Sequence, residues 1–417
     1  MGDEARSLAE SVLVRDRAAR EAAVAAHQQA LHRFPELAFE EHRTADYVEQ
    51  ALRSLGLEPK RGVVGTGLIV ELPAAGTGPT VLVRADMDGL PIEEHAGHDP
   101  RSEHAGRMHA CGHDGHMAIV LGIAHAVCRS GLEQALPGRL LLLFQPAEEG
   151  GAASPSGAQR IVASGLLDQE RVDYVLGLHL WSYLPLGQVI IPDGTVMASS
   201  DEFRIVLRGG GGHAAVPHQA SDVVLAASEL VVTLQSIVAR EVDPVRPAVV
   251  SVGTLHAGTA PNVLPERAEL TGTLRAPDAP TRELLRRRVA EIARAVAGTR
   301  GLTVDVELGL GYPPTVNDAQ VAARVRDAVR PVFGEGVLSG PPTMASEDFA
   351  CYLEQRPGAF CLLGMQDPAA GAIHAHHSPQ FVIAPRALPL GVELLLRGAL
   401  ALIEPGAGPI EGDARER

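Results

Sequence analysis

Lysine is almost missing from this 417-residue chain: among its 36 lysines and arginines only Lys60 is a lysine. That scarcity excludes whole chemistries. A P-loop needs a lysine after its Gly-rich turn, and a pyridoxal-dependent enzyme needs one for its Schiff base; Lys60 stands in EPKRG, in neither setting. Aromatic residues are few, at 3%, so burial falls mainly to Ala, Val and Leu. No basic block offsets the 51 acidic residues, and the formal net charge is −15. Such a chain lacks the electrostatic footprint that holds nucleic acid or an anionic membrane, and neither is expected as a partner. Apolar runs stay short: LLLLF at 140–144 is strand-sized, far from the roughly 18 to 20 residues of a membrane span. Four scattered cysteines, Cys111, Cys128, Cys351 and Cys361, make no disulfide framework. The acidic start MGDEARSLAE lacks the basic and apolar regions of a signal peptide. A cytoplasmic, reducing setting is therefore expected. What the chain does have is histidine: 17 in all, six of them between His95 and His116.

The length allows two or three domains. Helical spacing covers 4–31 and the segment TADYVEQALRSLG. Short apolar strands then alternate with helices: LIVEL, VLVRAD, a helix from about 114 to 129, LLLLF, a helix near 157–165, and YVLGLHL. This alternation predicts an α/β domain with a mostly parallel sheet flanked by helices. From 194 the order becomes strand, helix, two strands, helix and strand, a complete α+β unit. Alternation then resumes with a helix over 319–332, the strand AFCLLG and a final helix over 386–403. The expected division is an α/β domain in two parts, 1–193 and 309–403, with an inserted α+β domain over 194–308 and a disordered tail over 404–417.

In α/β sheets, reactive groups gather beyond the carboxyl ends of the strands, and four segments place candidate ligands there. RADMDGLP carries Asp86 and Asp88, MHACGHDGH carries Cys111, His113 and His116, QPAEEGG carries Glu148 and Glu149, and GLHLW sets His179 in an apolar strand. Taken singly, each has an ordinary explanation. A Cys-x-His pair is more often incidental, paired acids after a strand are usually solvated or begin a helix, and a histidine between leucines is by default a hydrogen-bonded core residue. Four such features, all at strand ends and all of ligand type, are hard to obtain by accident. Thiolate, imidazole and carboxylate together suit a borderline divalent ion rather than calcium or magnesium. Adjacent glutamates also divide labour, one to ligate and one to hold a water for deprotonation.

The segments MHACGHDGH, FQPAEEGG, GLHLW, GGGGHAAVPH, APNVLPE, ASEDF and HHSPQF, in that order over about residues 25–400, resemble the M20 metallopeptidase family. Within it they look like the amidohydrolases typified by hippurate hydrolase and the indoleacetyl-amino-acid hydrolases. The resemblance implies a zinc-aminopeptidase-like catalytic domain with two divalent ions per subunit, manganese or zinc, with cobalt or nickel as further candidates. It implies Cys111, His113, Glu149, His179 and His377 as ligands, with His376 and, more remotely, His374 as the residues confusable with His377. Glu148 is then the general base toward a water shared by the ions, and Asp88 is expected to orient a ligand imidazole. The inserted domain is implied to act as a lid and homodimerisation surface, with His213 steadying an oxyanion and Asn262 and Arg275 contacting a substrate carboxylate. Gly210 departs from the family pattern, in which a lysine often stands there. His104, His109, His116, His125 and His218 are read as structural or surface residues. The expected reaction is hydrolysis of an N-acyl or N-aroyl amino acid to a carboxylic acid and a free amino acid; the alternatives are a dipeptidase or carboxypeptidase of the same family, or a catalytically silent metal-binding homologue.

Overall fold

The structure, a computed structural model, describes residues 3–74, 76–95, 97, 99–131, 136–149 and 155–404. The tail expected to be disordered lies, beyond Glu404, outside the described residues. The chain forms two compact units: the first comprises the segments up to Val196, Val316–Pro341 and from Cys351 onward, the second Met197–Thr315 with Pro342–Ala350. The added piece carries the ASEDF motif, which the sequence reading had left in the α/β domain. Backbone pairing explains its place, since the Ala198 N–H reaches the carbonyls of Thr343 and Ala345 at 3.0 and 2.9 Å.

The first unit is built on an eight-stranded sheet, in the spatial order Lys60–Val63, Gly67–Glu71, Gly138–Gln145, Gly78–Asp86, Tyr174–Pro185, Gly358–Gln366, Val189–Ile190 and Val337–Leu338. Its four central strands, from Gly138–Gln145 to Gly358–Gln366, run parallel. Antiparallel pairings flank them on both sides. Leu140 to Phe144 are all buried, as a parallel strand covered on both faces requires. The edge strands Lys60–Val63 and Val337–Leu338, and Val189–Ile190 next to the latter, escaped the sequence reading because strands of two to four residues carry too little alternation to register.

Helices His113–Ser130 and Ala387–Leu402 pack into the core of this unit, and nearly every side chain of each is buried. The single helix expected over 4–31 is in fact two, Asp3–Val14 and Arg17–His32. Asp16 breaks the run in a left-handed conformation (φ 52°), which aspartate tolerates better than most residues. The buried Arg20 guanidinium donates to the Leu13 carbonyl at 2.8 Å, so the broken end is satisfied from the next helix.

The second unit is a four-stranded antiparallel sheet, ordered Val249–Ala257, Arg267–Arg275, Asp201–Arg208 and Thr303–Leu308, with helices Val223–Arg240 and Ala279–Thr299. It has its own apolar core, including Phe203, Leu207, Leu230, Leu234, Leu270 and Leu285. Val223–Arg240 is long and apolar enough to cross a membrane by length and composition alone. Its Val223, Ala226, Ala227, Leu230, Leu234 and Ile237 are buried at helical spacing, the stripe of a core helix.

A buried charge pair ties the first unit together. His32 Nδ1 lies 2.8 Å from Asp114 Oδ2 and its Nε2 3.3 Å from Glu94 Oε1. Burial opposes the imidazolium, but Asp114 and Glu94 outweigh it and lift the His32 pKa to about 10. Burial likewise works against the Asp114 carboxylate, but His32 outweighs it and draws the pKa down to about 2. These shifts are two faces of one interaction. His32, raised above its unfolded value of about 6.5, contributes stability that is full below that pH and is lost as pH rises toward 10. Asp114, depressed below its unfolded value near 3.8, contributes stability that is lost as pH falls toward 2. The contribution of this pair is therefore greatest between about pH 4 and 6.5, and in chelator-treated protein His32→Asn is expected to reduce, by its own share, the loss of thermal stability between about pH 6.5 and 10 to which His113 also contributes; an alkaline loss identical to wild type in that variant would contradict the assignment.

Candidate metal centre

The four parallel strands at the centre of the sheet each end near one group of ligand-type side chains. Gly78–Asp86 ends on Asp86 and leads to Asp88; Gly138–Gln145 leads through Pro146 and Ala147 to Glu148 and Glu149; His179 lies on Tyr174–Pro185; and Gly358–Gln366 leads to His376 and His377. Cys111 and His113 come from the turn that opens the helix His113–Ser130. Gly112 between them adopts φ +93°, which bends the chain sharply enough for both side chains to face one pocket. Gly115 allows the helix to sit close against Leu180, since a Cβ there would stand 2.6 Å from the Leu180 Cδ1.

Beneath the pocket lies Asp86, fully buried. It accepts from the Arg84 guanidinium at 2.6 Å and from His116 Nδ1 at 2.7 Å, and its Oδ2 lies 3.6 Å from His113 Nε2. Burial alone would raise its pKa, but Arg84, His113 and His116 hold it well below the usual carboxylate range. His116 is fully engaged, because its Nε2 accepts the Leu180 N–H at 3.0 Å. It ties Asp86 to the strand Tyr174–Pro185, and with Asp86 and His113 it forms a group of ligand-type atoms within 4.8 Å of one another.

Hydrogen bonds set which nitrogen of each remaining imidazole faces the pocket. His179 Nδ1 contacts its neighbour's carbonyl, Leu180 O, at 2.6 Å, leaving Nε2 toward Cys111 Sγ at 3.3 Å. Burial, together with His116 and His376, keeps the His179 pKa well below normal, so the ring is neutral and its Nε2 lone pair is available. His113 Nδ1 donates to the Asp88 carbonyl at 2.8 Å, and its buried Nε2 has no hydrogen-bond partner among the described residues. Burial disfavours an imidazolium at His113, yet Asp86 and Asp88 lift its pKa to about 10; a cation bound there takes the place of that proton. The Cys111 thiol is pushed well above its ordinary pKa by burial and then by Glu149, Glu148 and Asp86.

Glu148 and Glu149 are held from behind by their own backbone. The Glu148 N–H donates to Asp88 Oδ1 at 3.0 Å and the Glu149 N–H to Asp88 Oδ2 at 2.9 Å. Asp88 thus does more than orient an imidazole: its carbonyl aims His113 while its carboxylate clamps the glutamate turn. Glu149 Oε1 lies 3.0 Å from His377 Nε2 without the alignment of a hydrogen bond. Burial would raise the Glu149 pKa, but His377 and His113 lower it. His377 itself occupies the left-handed region (φ 62°) and donates its N–H to the Ala110 carbonyl at 2.9 Å, beside Cys111. A non-glycine residue in that conformation costs energy and persists only where its surroundings impose it.

The donor atoms fall into overlapping triads: Cys111, His113 and His179; Cys111, Glu149 and His377; and His113, Glu148 and Glu149, each with its ligand atoms within 4.8 Å of one another. A soft thiol, imidazole nitrogens and carboxylate oxygens around two orphaned buried atoms, His113 Nε2 and Glu149 Oε1, form a set that fits borderline divalent ions. The neighbouring histidines take separate parts. His376 Nε2 accepts the Ser182 N–H at 3.0 Å and its ring packs 5.1 Å from both Trp181 and Phe381, so it belongs to the wall. His377 faces Glu149. His374 joins no ligand-type group among the described residues.

The remaining residues singled out from sequence lie in the second unit. His213 pairs with Val263 in a two-stranded ladder, and the Ala214 N–H donates to the Asn262 carbonyl at 3.1 Å, so His213 and Asn262 are neighbours. His213 Nδ1 accepts from the Ala215 N–H at 3.0 Å. Arg275 spends its guanidinium on Thr273 and the Leu274 carbonyl of its own strand. Burial lowers its pKa while Glu202 and Asp201 act to raise it. Sequence reasoning missed Glu41 and Arg84: the first sits at a helix start and reads as a cap, the second reads as an ordinary strand residue.

The fold and this donor set define a metal-dependent hydrolase of amide bonds. The profile of Peptidase family M20/M25/M40 matches residues 82–401, and the chain belongs to that family. It is 36% identical over 374 residues to the N-acetyl-L-cysteine deacetylase of Bacillus subtilis, covering 90% of this chain and 86% of the relative. Thermostable carboxypeptidase 1 of Saccharolobus solfataricus is 34% identical over 366 residues, with 87% and 91% covered. The IAA-amino acid hydrolase ILR1-like 5 of Arabidopsis thaliana is 38% identical over 373 residues, with 88% and 84% covered. Among solved structures, the Bacillus subtilis YXEP protein, described as a dinuclear metal binding peptidase from the M20 family, superposes with a TM-score of 0.80 at 29% identity, covering 93% of this chain and 99% of its own.

Two expectations follow from the geometry. His377→Ala is expected to lose one bound ion by metal analysis, whereas His376→Ala keeps the metal and lowers the unfolding temperature; the reverse pattern would exchange the two roles. Asp88→Asn sets an amide N–H against the Glu148 or Glu149 N–H, and is expected to weaken metal binding roughly 10- to 100-fold, read by titration with a competing chelator.

Proposed function

We propose that the protein is a binuclear amidohydrolase that cleaves the amide of N-acyl or N-aroyl amino acids, in the subgroup of hippurate hydrolase and the indoleacetyl-amino-acid hydrolases. The observation that carries this reading is Glu148: a second carboxylate beside the ligand-type Glu149, its amide clamped by Asp88, which a storage or structural metal site would not need. The ligands assigned are Cys111, His113, Glu149, His179 and His377, and manganese or zinc is the metal class their donors favour. When bound, such ions would supply Lewis acidity, which polarises a carbonyl and lowers the pKa of water so that it is readily deprotonated.

Glu148 takes that water's proton and delivers it to the leaving amine, so that one carboxylate serves both halves of the reaction. Cys111, His113 and Glu149 each belong to two of the three triads, so the triads form one connected donor set that would hold the ions. His213, with Asn262 beside it, is assigned to the oxyanion and to substrate binding, and Arg275 to a substrate carboxylate. Arg275 needs the larger change, since it must leave Thr273 and Leu274 to serve. The second unit is assigned to dimerisation as well. Its helix Val223–Arg240 exposes Leu225 and Val232, and its strand Val249–Ala257 lies at a sheet edge. A cytoplasmic setting is assigned with this reading.

A carboxypeptidase reading has one specific support, the relative named thermostable carboxypeptidase 1. A panel of N-benzoyl- and N-acetyl-amino acids against unblocked dipeptides, with Mn(II)- or Zn(II)-loaded protein, separates the two. Faster cleavage of the blocked substrates is expected, and preference for free dipeptides would replace the amidohydrolase reading. Glu148→Gln is expected to lower kcat by about 10² to 10⁴ with both ions retained; full activity in that variant would remove Glu148 from its role.

A further inference from the structure

Three consecutive amides, those of Ala147, Glu148 and Glu149, all point into the protein and all end on buried carboxylate oxygens. Asp88 takes the last two. The first belongs to Glu41, whose Oε1 accepts the Ala147 N–H at 2.9 Å across 106 residues of chain. Glu41 is fully buried, and it is held in turn: Oε1 also accepts the Phe39 N–H at 3.0 Å and Oε2 accepts the Thr66 hydroxyl at 2.5 Å. On the far side, the Ala147 carbonyl accepts the Gly157 N–H at 3.0 Å. Both backbone groups of Ala147 are therefore pinned, and they need to be, because Ala147 is a non-glycine residue at φ 54°. That conformation is disfavoured for alanine and persists only where neighbours impose it. Its direction decides where the next two side chains point.

Burying a carboxylate in this position is costly, and Glu41 shows it: burial and the nearby Asp88 raise its pKa to about 7. A residue that served only to start the helix at His42 would gain nothing from being drawn into the protein toward a like charge. Its helix-start position in fact carries no side-chain cap bond.

We propose that Glu41 is a positioning residue for the general base: by holding the left-handed turn at Ala147 it aims the Glu148 carboxylate, without touching substrate or metal. This rests on the reading of Glu148 given above. Glu41 acts on the turn that carries Glu148 and, one residue on, Glu149, so its loss strikes the rate first, weakens metal affinity less, and spares substrate affinity. An amide at position 41 keeps an oxygen for the Phe39 and Ala147 N–H groups and preserves the turn, since the Thr66 hydroxyl can rotate to accept from the new NH₂. A glycine at 147 adopts positive φ without strain and makes the clamp less necessary.

The test uses the full chain loaded with Mn(II) and N-benzoylglycine as substrate. Glu41→Ala is expected to lower kcat roughly tenfold to a hundredfold, the scale of a displacement of about 1 Å at a reacting group, at saturating Mn(II) with both ions confirmed bound and KM unchanged. Glu41→Gln is expected to retain most of the rate, and Ala147→Gly placed in the Glu41→Ala background to restore part of it. Wild-type kcat in Glu41→Ala, a Glu41→Gln as slow as Glu41→Ala, or no recovery with Ala147→Gly would each overturn the proposal. Should Glu41→Ala fail to fold, Thr66→Val, which removes the hydroxyl steadying Glu41, decides: a several-fold fall in kcat at constant KM supports it and an unchanged kcat overturns it. Glu148→Gln run beside these separates the two layers. An inactive Glu148→Gln with a fully active Glu41→Ala removes only the positioning role, while a fully active Glu148→Gln, or a wild type that cleaves no N-acyl amino acid, removes the functional reading and the positioning role with it.

Discussion

A carboxylate buried at the end of a central parallel strand must be neutralised from within, and in this protein the way Asp86 is neutralised orders everything around it. Arg84, two residues earlier on the same strand, and His116, on the helix that follows, both donate to it. His116 then accepts from the Leu180 amide. One charge thereby locks the strand Gly78–Asp86, the helix His113–Ser130 and the strand Tyr174–Pro185 into a fixed relation. His113, one turn before His116, and His179, beside Leu180, are carried into place by that lock. In a low-dielectric interior such a fully satisfied network is rigid, and an unpaired member would be expensive.

The same economy runs outward to the reactive side chains. Of the imidazoles that face the pocket, His113 and His179 each set Nδ1 against a backbone carbonyl, so the backbone itself chooses which lone pair is presented. Asp88 and Glu41 between them take three successive amides and hold a strained turn whose only visible product is the placement of Glu148 and Glu149. The thiol of Cys111, meanwhile, sits among three carboxylates in a setting that opposes its ionisation. Thiol, imidazole and carboxylate donors crowded within reach of one another, with His113 Nε2 and Glu149 Oε1 lacking hydrogen-bond partners, are the physical basis for reading the pocket as a metal centre. The overall −15 charge of the chain had no bearing on this; the relevant charges lie within a few ångströms of one another.

Much of the site was legible in the residues themselves. MHACGHDGH and QPAEEGG bring ligand-type side chains together locally, and the strand-helix alternation tells which ends of which strands they follow. The split between His376 and His377 was only partly legible. Adjacent residues differ by one position in spacing, yet the left-handed backbone at His377 turns one ring toward Glu149 and leaves the other against Trp181 and Phe381. The break at Asp16 was not legible because it turns on one residue's backbone conformation, the short strands because they carry too little alternation, and the membership of Pro342–Ala350 in the second unit because it depends on a partner far away in the chain.

The sequence by itself determined the alternation that builds a parallel sheet, the separate α+β unit, and the chemical kinds of donor that gather at the strand ends, since these follow from hydrophobic period and residue type. Only the tertiary structure decided which nitrogen each histidine presents, which of two adjacent histidines faces the pocket, and that Glu41 and Asp88 hold the turn bearing Glu148. Those outcomes are set by hydrogen bonds between segments as much as 106 residues apart, and such bonds leave no period or spacing in the chain from which they could be read.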